Sequence, residues 1–217
     1  MILKFLKPTT PSQRNLVRLN RKQLRKKPII KTEISGLKNS SGRNFSGKIT
    51  VRHRGNGHKK NDRKINFSRT INSTGIVVSI EYDPNRNASI ASVYNLTNNN
   101  YIYILAPKNL KTGDIIESGS NIKSKLGNSL PIAEIPVGSF IHNVSIKPQK
   151  PGQISRSAGT FSQLKEKYLN FAKIKLSSGK QKLISSKCYA TIGIVSNELF
   201  NLTQKGKAGR SRWLNIR

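Results

Sequence analysis

Acidic residues are scarce in this chain. Its 217 residues include 9 Asp and Glu against 40 Lys and Arg, a formal net charge of +31. Like charges in that excess repel one another and loosen a compact state unless a polyanion neutralises them. The partner this implies first is a nucleic acid, and second an anionic membrane surface. The few carboxylates are scattered, so no catalytic pair is evident and no enzyme is expected. Cysteine is almost missing too. Cys188 stands alone, which rules out a disulfide framework within the chain and is consistent with a reducing compartment. One Cys and 3 His give too few ligands for a metal centre, and no cofactor is implied. Long apolar runs are also lacking. Nothing approaches the roughly 18 consecutive apolar residues of a membrane-spanning helix. The opening Met1-Ile2-Leu3-Lys4-Phe5-Leu6-Lys7-Pro8 is too short for a secretory signal and is broken by Pro8.

What is abundant is basic charge, unevenly spread. Residues 1–70 carry 20 basic and 2 acidic side chains, residues 71–140 carry 5 of each, and residues 141–217 carry 15 and 2. A neutral middle between basic ends reads as a folded body with cationic extensions and loops. Residues 1–45 crowd Arg18, Arg21, Lys22, Arg25, Lys26 and Lys27 among few large apolar residues. Such an arm is expected to stay without structure of its own until phosphates neutralise it. The alternative is a solvated helix over residues 15–27, which no acidic i+4 partners support. The chain also holds 26 Lys, 25 Ile and 22 Asn against 14 Arg. Those three residues have A/T-rich codons, which suits an organelle genome as well as some bacteria.

From about Gly47 the pattern turns to strands. Ile76, Val78, Ile80 and Tyr82 alternate with smaller or polar residues, a period of two. Asp83-Pro84-Asn85-Arg86 reads as a turn. Further strands are predicted over residues 88–96, 101–106, 139–146, 171–176, 182–184 and 188–195. Residues 161–173 suit a helix locally but read better as two strands joined near Lys165-Glu166. Short, regularly spaced strands predict small β-barrels, which leave few open edges. The Pro- and Gly-rich stretch 119–136 is the expected junction between two of them.

Gly42-Arg43-Asn44-Phe45-Ser46-Gly47-Lys48 matches seven positions of a phosphate-binding loop, but Ile49 stands where Ser or Thr would hold magnesium. Close approach of backbone to RNA accounts for the same glycines. His53 and His58 are not spaced for a zinc-protease helix. Arg52, Arg54, Lys59 and Lys60 flank Gly55-Asn56-Gly57, whose residues tolerate positive φ and let the chain fold tightly against phosphates. The guanidinium groups suit bidentate phosphate contacts or stacking on bases. An ordinary solvated hairpin is the competing reading. A second Gly/Pro-punctuated cluster runs over residues 147–159 with Lys147, Lys150 and Arg156. The third, residues 205–213, holds Lys205, Lys207, Arg210 and Arg212. Trp213 either stacks on a base or packs into a core, the commoner fate of a lone Trp.

These clusters, in this order, resemble the ribosomal protein L2 family of the large subunit. The family's Arg-His-x-Gly-x-Gly-His-Lys segment is similar to residues 52–59, with Asn56 replacing a glycine, and its Glu-Tyr-Asp-Pro-Asn-Arg occurs as Glu81 to Arg86. Ile104-Leu105-Ala106-Pro107-Lys108, Ile135-Pro136-Val137-Gly138-Ser139, His142-Asn143-Val144, Arg156-Ser157-Ala158-Gly159-Thr160 and Gly206-Lys207-Ala208-Gly209-Arg210 match as well, as does Lys7-Pro8-Thr9-Thr10-Pro11. The resemblance implies a mainly β protein. An oligonucleotide-binding (OB-fold) barrel over 46–118 would precede an SH3-like barrel over 119–200, with an extended basic arm at 1–45 and a basic extension at 201–217. It implies a structural role in the large ribosomal subunit, with rRNA and other ribosomal proteins as partners, near the peptidyl transferase region and in subunit assembly and association. The alternative is a free RNA-binding chaperone outside the ribosome.

The RNA contacts so implied are Arg52, His53, Arg54, Gly55, Gly57, His58, Lys59, Lys60, Arg63, Arg69 and Arg86. Lys147, Lys150, Arg156 and Ser157 follow, and then Lys205, Lys207, Arg210, Arg212 and Trp213. The family pattern continues into a Gly- and His-rich tail, whereas this sequence ends at Arg217, so a separate polypeptide carrying that tail, or a ribosome without it, is expected. A mitochondrial ribosome is the expected location, with plastid and bacterial cytoplasm as alternatives.

Overall fold

Strands form where β-branched and aromatic residues fit a pleated surface, and Asn, Gly and Pro end them. The computed structural model describes residues 3–54 and 58–213, and it is mainly β. In the amino-terminal third lie β1 (Leu3–Phe5), β2 (Leu16–Leu19), β3 (Ile34–Gly36) and β4 (Asn61–Arg63). The first lobe follows as β5 (Ser73–Glu81), β6 (Ile90–Asn95), β7 (Asn100–Leu105) and β8 (Ile115–Ser118). The second lobe contains β9 (Ser129–Pro131), β10 (Phe140–His142), β11 (Ser162–Lys167), β12 (Phe171–Leu176), β13 (Gln181–Ser185) and β14 (Tyr189–Ile192). β15 (Gln204–Lys205) and a short helix α1 (Ala208–Trp213) come last. The lobes are OB-like and SH3-like respectively.

One ten-stranded sheet runs through both lobes in the order β13-β12-β11-β10-β14-β9-β8-β5-β6-β7. Its neighbours are antiparallel except at the junction, where β8 meets β9 in parallel at Ser118 and Ser129. The second lobe closes on Leu130, Ile132, Ile135, Ile141, Leu164 and Ile174, all fully buried. Each such side chain withdrawn from water contributes about 2 kcal/mol. β6 is buried on both faces. Val77, Ala91, Val93, Ile104 and Ile116 pack on one side. Ile30, Ile65, Ile90, Tyr103 and Val195 pack on the other.

Ile30 belongs to the segment expected to lack structure, and there the structure differs. β1 pairs with β2, and β2 pairs with β15 from the far end of the chain. Leu16, Val17, Leu19 and Leu24 are buried. The basic residues lie between these apolar anchors, Ile30 packs into the first lobe and the Arg25 amide donates to the Ile80 carbonyl, so the segment is a clamp rather than a free arm.

The alternation in β5 has the predicted period and the opposite phase. Val77 and Glu81 are buried, while Ile76 and Val78 face solvent. A bulge between Val77 and Ser79 accompanies this. The inward face carries polar side chains that are hydrogen-bonded: Ser79 Oγ lies 2.9 Å from Ser92 Oγ. Residues 161–173 do form two strands, but the turn sits at residues 168–170 and not at Lys165-Glu166, where β11 carries a bulge.

Candidate nucleic-acid interface

β3 and β4 form a two-stranded stem, and the described residues 37–54 and 58–60 leave it as a basic finger. Residues 34–61 hold 7 Lys and Arg and no Asp or Glu. Inside the finger, Thr50 and Val51 both donate their amides to the Gly42 carbonyl, at 2.9 and 3.1 Å. Gly42 has φ +78°, and a Cβ there would collide with the Val51 carbonyl oxygen, so only glycine fits. The segment 42–48 neither follows a strand nor opens a helix, unlike a nucleotide-binding loop. Arg52, His53, Arg54, His58 and Lys59 are exposed and Lys60 is half-buried. Gly55 and Gly57 lie outside the described residues.

The turn at residues 81–86 fixes the base of this finger. The buried Glu81 carboxylate accepts from the Ile29 amide (3.1 Å), the Tyr103 hydroxyl (3.1 Å) and Ser79 Oγ (3.2 Å). Burial, and then the nearby Glu81 charge, push the Tyr103 phenol up. Asp83 accepts from the Asn85 amide (2.8 Å) and from Arg86 Nε (2.6 Å), and lies 3.9 Å from Arg63. Asn85 Nδ2 also donates to Asp62 on the stem (2.8 Å). Arg63 and Arg86 are therefore not the free cations that the sequence anticipates. Arg63 is 5% exposed, and both are engaged with carboxylates.

Arg69 departs further. It is 6% exposed at the junction of the lobes. Its Nη1 donates to the Gly127 carbonyl (2.8 Å), Nε and Nη2 to Ser118 Oγ (3.1 and 3.0 Å), and Nη2 also to the Glu117 carbonyl (3.3 Å). Burial lowers its pKa to about 10, which leaves it charged at neutral pH. Nearby, His142 is fully buried with Nδ1 3.0 Å from the Gly193 carbonyl. Burial, with a smaller contribution from the Arg69 charge, takes its pKa down to about 4, so the imidazole is neutral.

The second cluster packs against the first lobe. The Gly152 amide (3.0 Å) and Asn143 Nδ2 (3.2 Å) both donate to the Phe67 carbonyl. A Cβ on Gly152 would collide with Asn143. Arg156 lies over the Phe67 ring at 4.6 Å and Arg86 at 5.9 Å, so guanidinium groups from both lobes meet at one phenyl ring. Lys147, Lys150, Arg156 and Ser157 are exposed.

The third cluster sits elsewhere, on the small β1-β2-β15 sheet. Lys205 Nζ donates to Ser211 Oγ (3.3 Å), and Arg210 Nη1 donates to the Lys205 carbonyl (3.3 Å). Lys207 and Arg212 are exposed. Trp213 is 57% exposed rather than packed in a core, with Lys207 Nζ 4.7 Å from its ring.

Among the described residues only Arg63, Lys64, Arg86, Lys108 and Lys173 come within 4.0 Å of a carboxylate. The surface is thus a cation array whose counter-charge is external. It extends beyond the three clusters: Lys165, Lys175, Lys180, Lys182 and Lys187 are exposed around β11–β13. That comb was readable as 7 Lys against a single Glu over residues 165–187, but its spacing matches no motif. No helix among the described residues is long and apolar enough to cross a membrane.

Comparison with known proteins follows the same division. Residues 30–118 match a family model described as the RNA binding N-terminal domain of Ribosomal Proteins L2, and residues 125–217 match the C-terminal domain model of the same proteins. The chain is 46% identical over 217 residues to large ribosomal subunit protein uL2 of Wolbachia sp. subsp. Brugia malayi, covering 100% of this chain and 79% of that protein. It is 47% identical over 218 residues to uL2 of Parvibaculum lavamentivorans, covering 100% and 78%. It is 48% identical over 219 residues to uL2m of Reclinomonas americana, covering 100% and 79%.

Proposed function

Because the chain belongs to the ribosomal protein L2 family, we propose that it is a structural constituent of the large ribosomal subunit that binds rRNA through its basic finger and loops. Its place is near the peptidyl transferase region, where it supports subunit assembly and association. The mechanism is electrostatic and architectural. Lys and Arg displace counterions from phosphates, and ordered loops set the register of RNA helices.

The observation that carries this reading is the split use of arginine. Arg63 and Arg86 are spent on Asp83, which fixes the stem, while Arg52, Arg54 and Arg156 stay exposed. Arginines held in reserve on a braced scaffold suit a polyanion of fixed shape. No catalytic step is assigned to the site. A mitochondrial location is supported by the mitochondrial homologue and the Lys, Ile and Asn surplus, although the bacterial relatives are equally similar.

Gradient fractionation of ribosomal particles tests the proposal. The chain is expected in the large subunit, and the double variant Arg54→Glu with Arg156→Glu is expected to stay out of it. A chain found mostly free of particles, or a double variant that assembles normally, would contradict the reading.

A further inference from the structure

We propose that Phe45 is a base-stacking finger, whose ring lies against an unpaired nucleobase of the RNA held by the cations around it. This rests on the RNA-binding reading and adds to it a specific contact of a different kind. Phe45 is 104% exposed, more than any other large apolar side chain among the described residues. A single exposed phenyl ring is unremarkable by itself, but two further observations set this one apart.

The first is that the ring is held out by a built turn. Arg43 and Ile49 form an antiparallel bridge that closes the loop. The Asn44 amide donates to the Lys48 carbonyl (2.9 Å), and the Gly47 amide donates to the Asn44 carbonyl (3.1 Å). Asn44 Oδ1 accepts from the Lys48 amide (3.0 Å) and from Ser46 Oγ (2.8 Å). Asn44, Ser46, Gly47 and Lys48 thus spend local hydrogen bonds on one tip conformation. A backbone ordered in this way loses little freedom when the ring it carries stacks.

The second is the charge around it. Arg43 and Lys48 flank the ring and are exposed, and no acidic residue occurs between Glu33 and Asp62. A purely apolar protein surface offers nothing to those cations. A nucleotide offers both halves of the match, a π face for the ring and a phosphate for each neighbour.

Filter binding of the full chain to large-subunit rRNA, between about 50 and 200 mM salt, tests this. Phe45→Ala is expected to weaken binding roughly tenfold at every salt concentration, the typical cost of one lost stack, with the slope of log K against log salt unchanged. Phe45→Trp is expected to keep wild-type affinity, and Phe45→Leu, which keeps bulk but lacks a π face, to be as weak as Phe45→Ala. Since the side chain touches no core, all three variants fold. An alanine variant that binds like wild type, or a leucine variant that restores affinity, would overturn the proposal and point to a protein contact. If the unaltered chain showed no salt-dependent binding to rRNA, the RNA-binding reading itself would fall first.

Discussion

Lys4 and Arg18 face each other directly across the antiparallel pair β1–β2, two exposed cations on opposed positions. Like charges so placed destabilise a strand pair. An anion bound between them would relieve that repulsion, and the pair stands on the sheet that also carries the third basic cluster. In the isolated chain, Lys4→Glu is expected to raise stability by about 0.5 kcal/mol. The gain should fade at about 1 M salt, where screening acts within roughly 3 Å. Thermal unfolding at low and high salt measures both. A Lys4→Glu chain no more stable than wild type at low salt would show that the pair carries no strain.

Arg69 is expected to act on stability and not on RNA affinity. Arg69→Leu strands the Gly127 and Glu117 carbonyls at the lobe junction and should cost about 3 kcal/mol. Lysine cannot span the same acceptors and should rescue little. Urea unfolding reads the loss, and the folded fraction should bind rRNA with an unchanged salt slope. A slope reduced by one would return Arg69 to the phosphate contacts.

The finger should behave in the opposite way. Replacing Arg52, Arg54 and Lys59 together by glutamine should leave unfolding midpoints nearly unchanged. The slope of log K against log salt should become shallower by about three. Arg63→Gln, by contrast, is expected to lower stability through the loss of its place beside Asp83. A triple variant with the wild-type slope would remove the finger from the interface.

His142 makes stability depend on pH. Its pKa in the folded chain, about 4, lies below the ordinary 6.5. Between those values the unfolded chain binds more protons, so stability rises with pH there. The stability is fully present above about pH 6.5 and is lost as pH falls through about 4, a difference on the order of 3 kcal/mol. As pH is lowered from 7 to 4, urea midpoints should fall more steeply for wild type than for His142→Gln, and parallel curves would refute the assignment.

How much of this was legible beforehand varies by element. Most strands of both lobes, though not β8 or β9, can be read from alternation and turn residues, as can the turn at residues 83–86 and, from charge, the three clusters. The phase of β5 cannot be. Its buried face contains Ser79 and Glu81, which pattern reading assigns to solvent, and only the hydrogen bonds to Ser92, Tyr103 and Ile29 make their burial tolerable. Residues 16–30 look like a loose basic arm because the few apolar residues there are diluted by cations, yet Leu16, Val17, Leu19, Leu24 and Ile30 suffice to dock it. Arg63, Arg69 and Arg86 are indistinguishable in sequence from Arg52 and Arg54. Partners distant along the chain decide which guanidinium groups are consumed internally. Phe45 was visible inside its glycine-flanked heptad, but its exposure depends on a turn that no periodicity reveals.

The parallel contact between Ser118 and Ser129, braced by the Arg69 guanidinium, ties together the two ends of residues 119–128 at the lobe junction. The lobes that carry the finger and the Arg156 loop are thus pinned to each other at that junction, and Arg156 also lies over the Phe67 ring of the first lobe. A frame joined in this way would act as a caliper, setting the spacing of RNA segments gripped on either side of the junction.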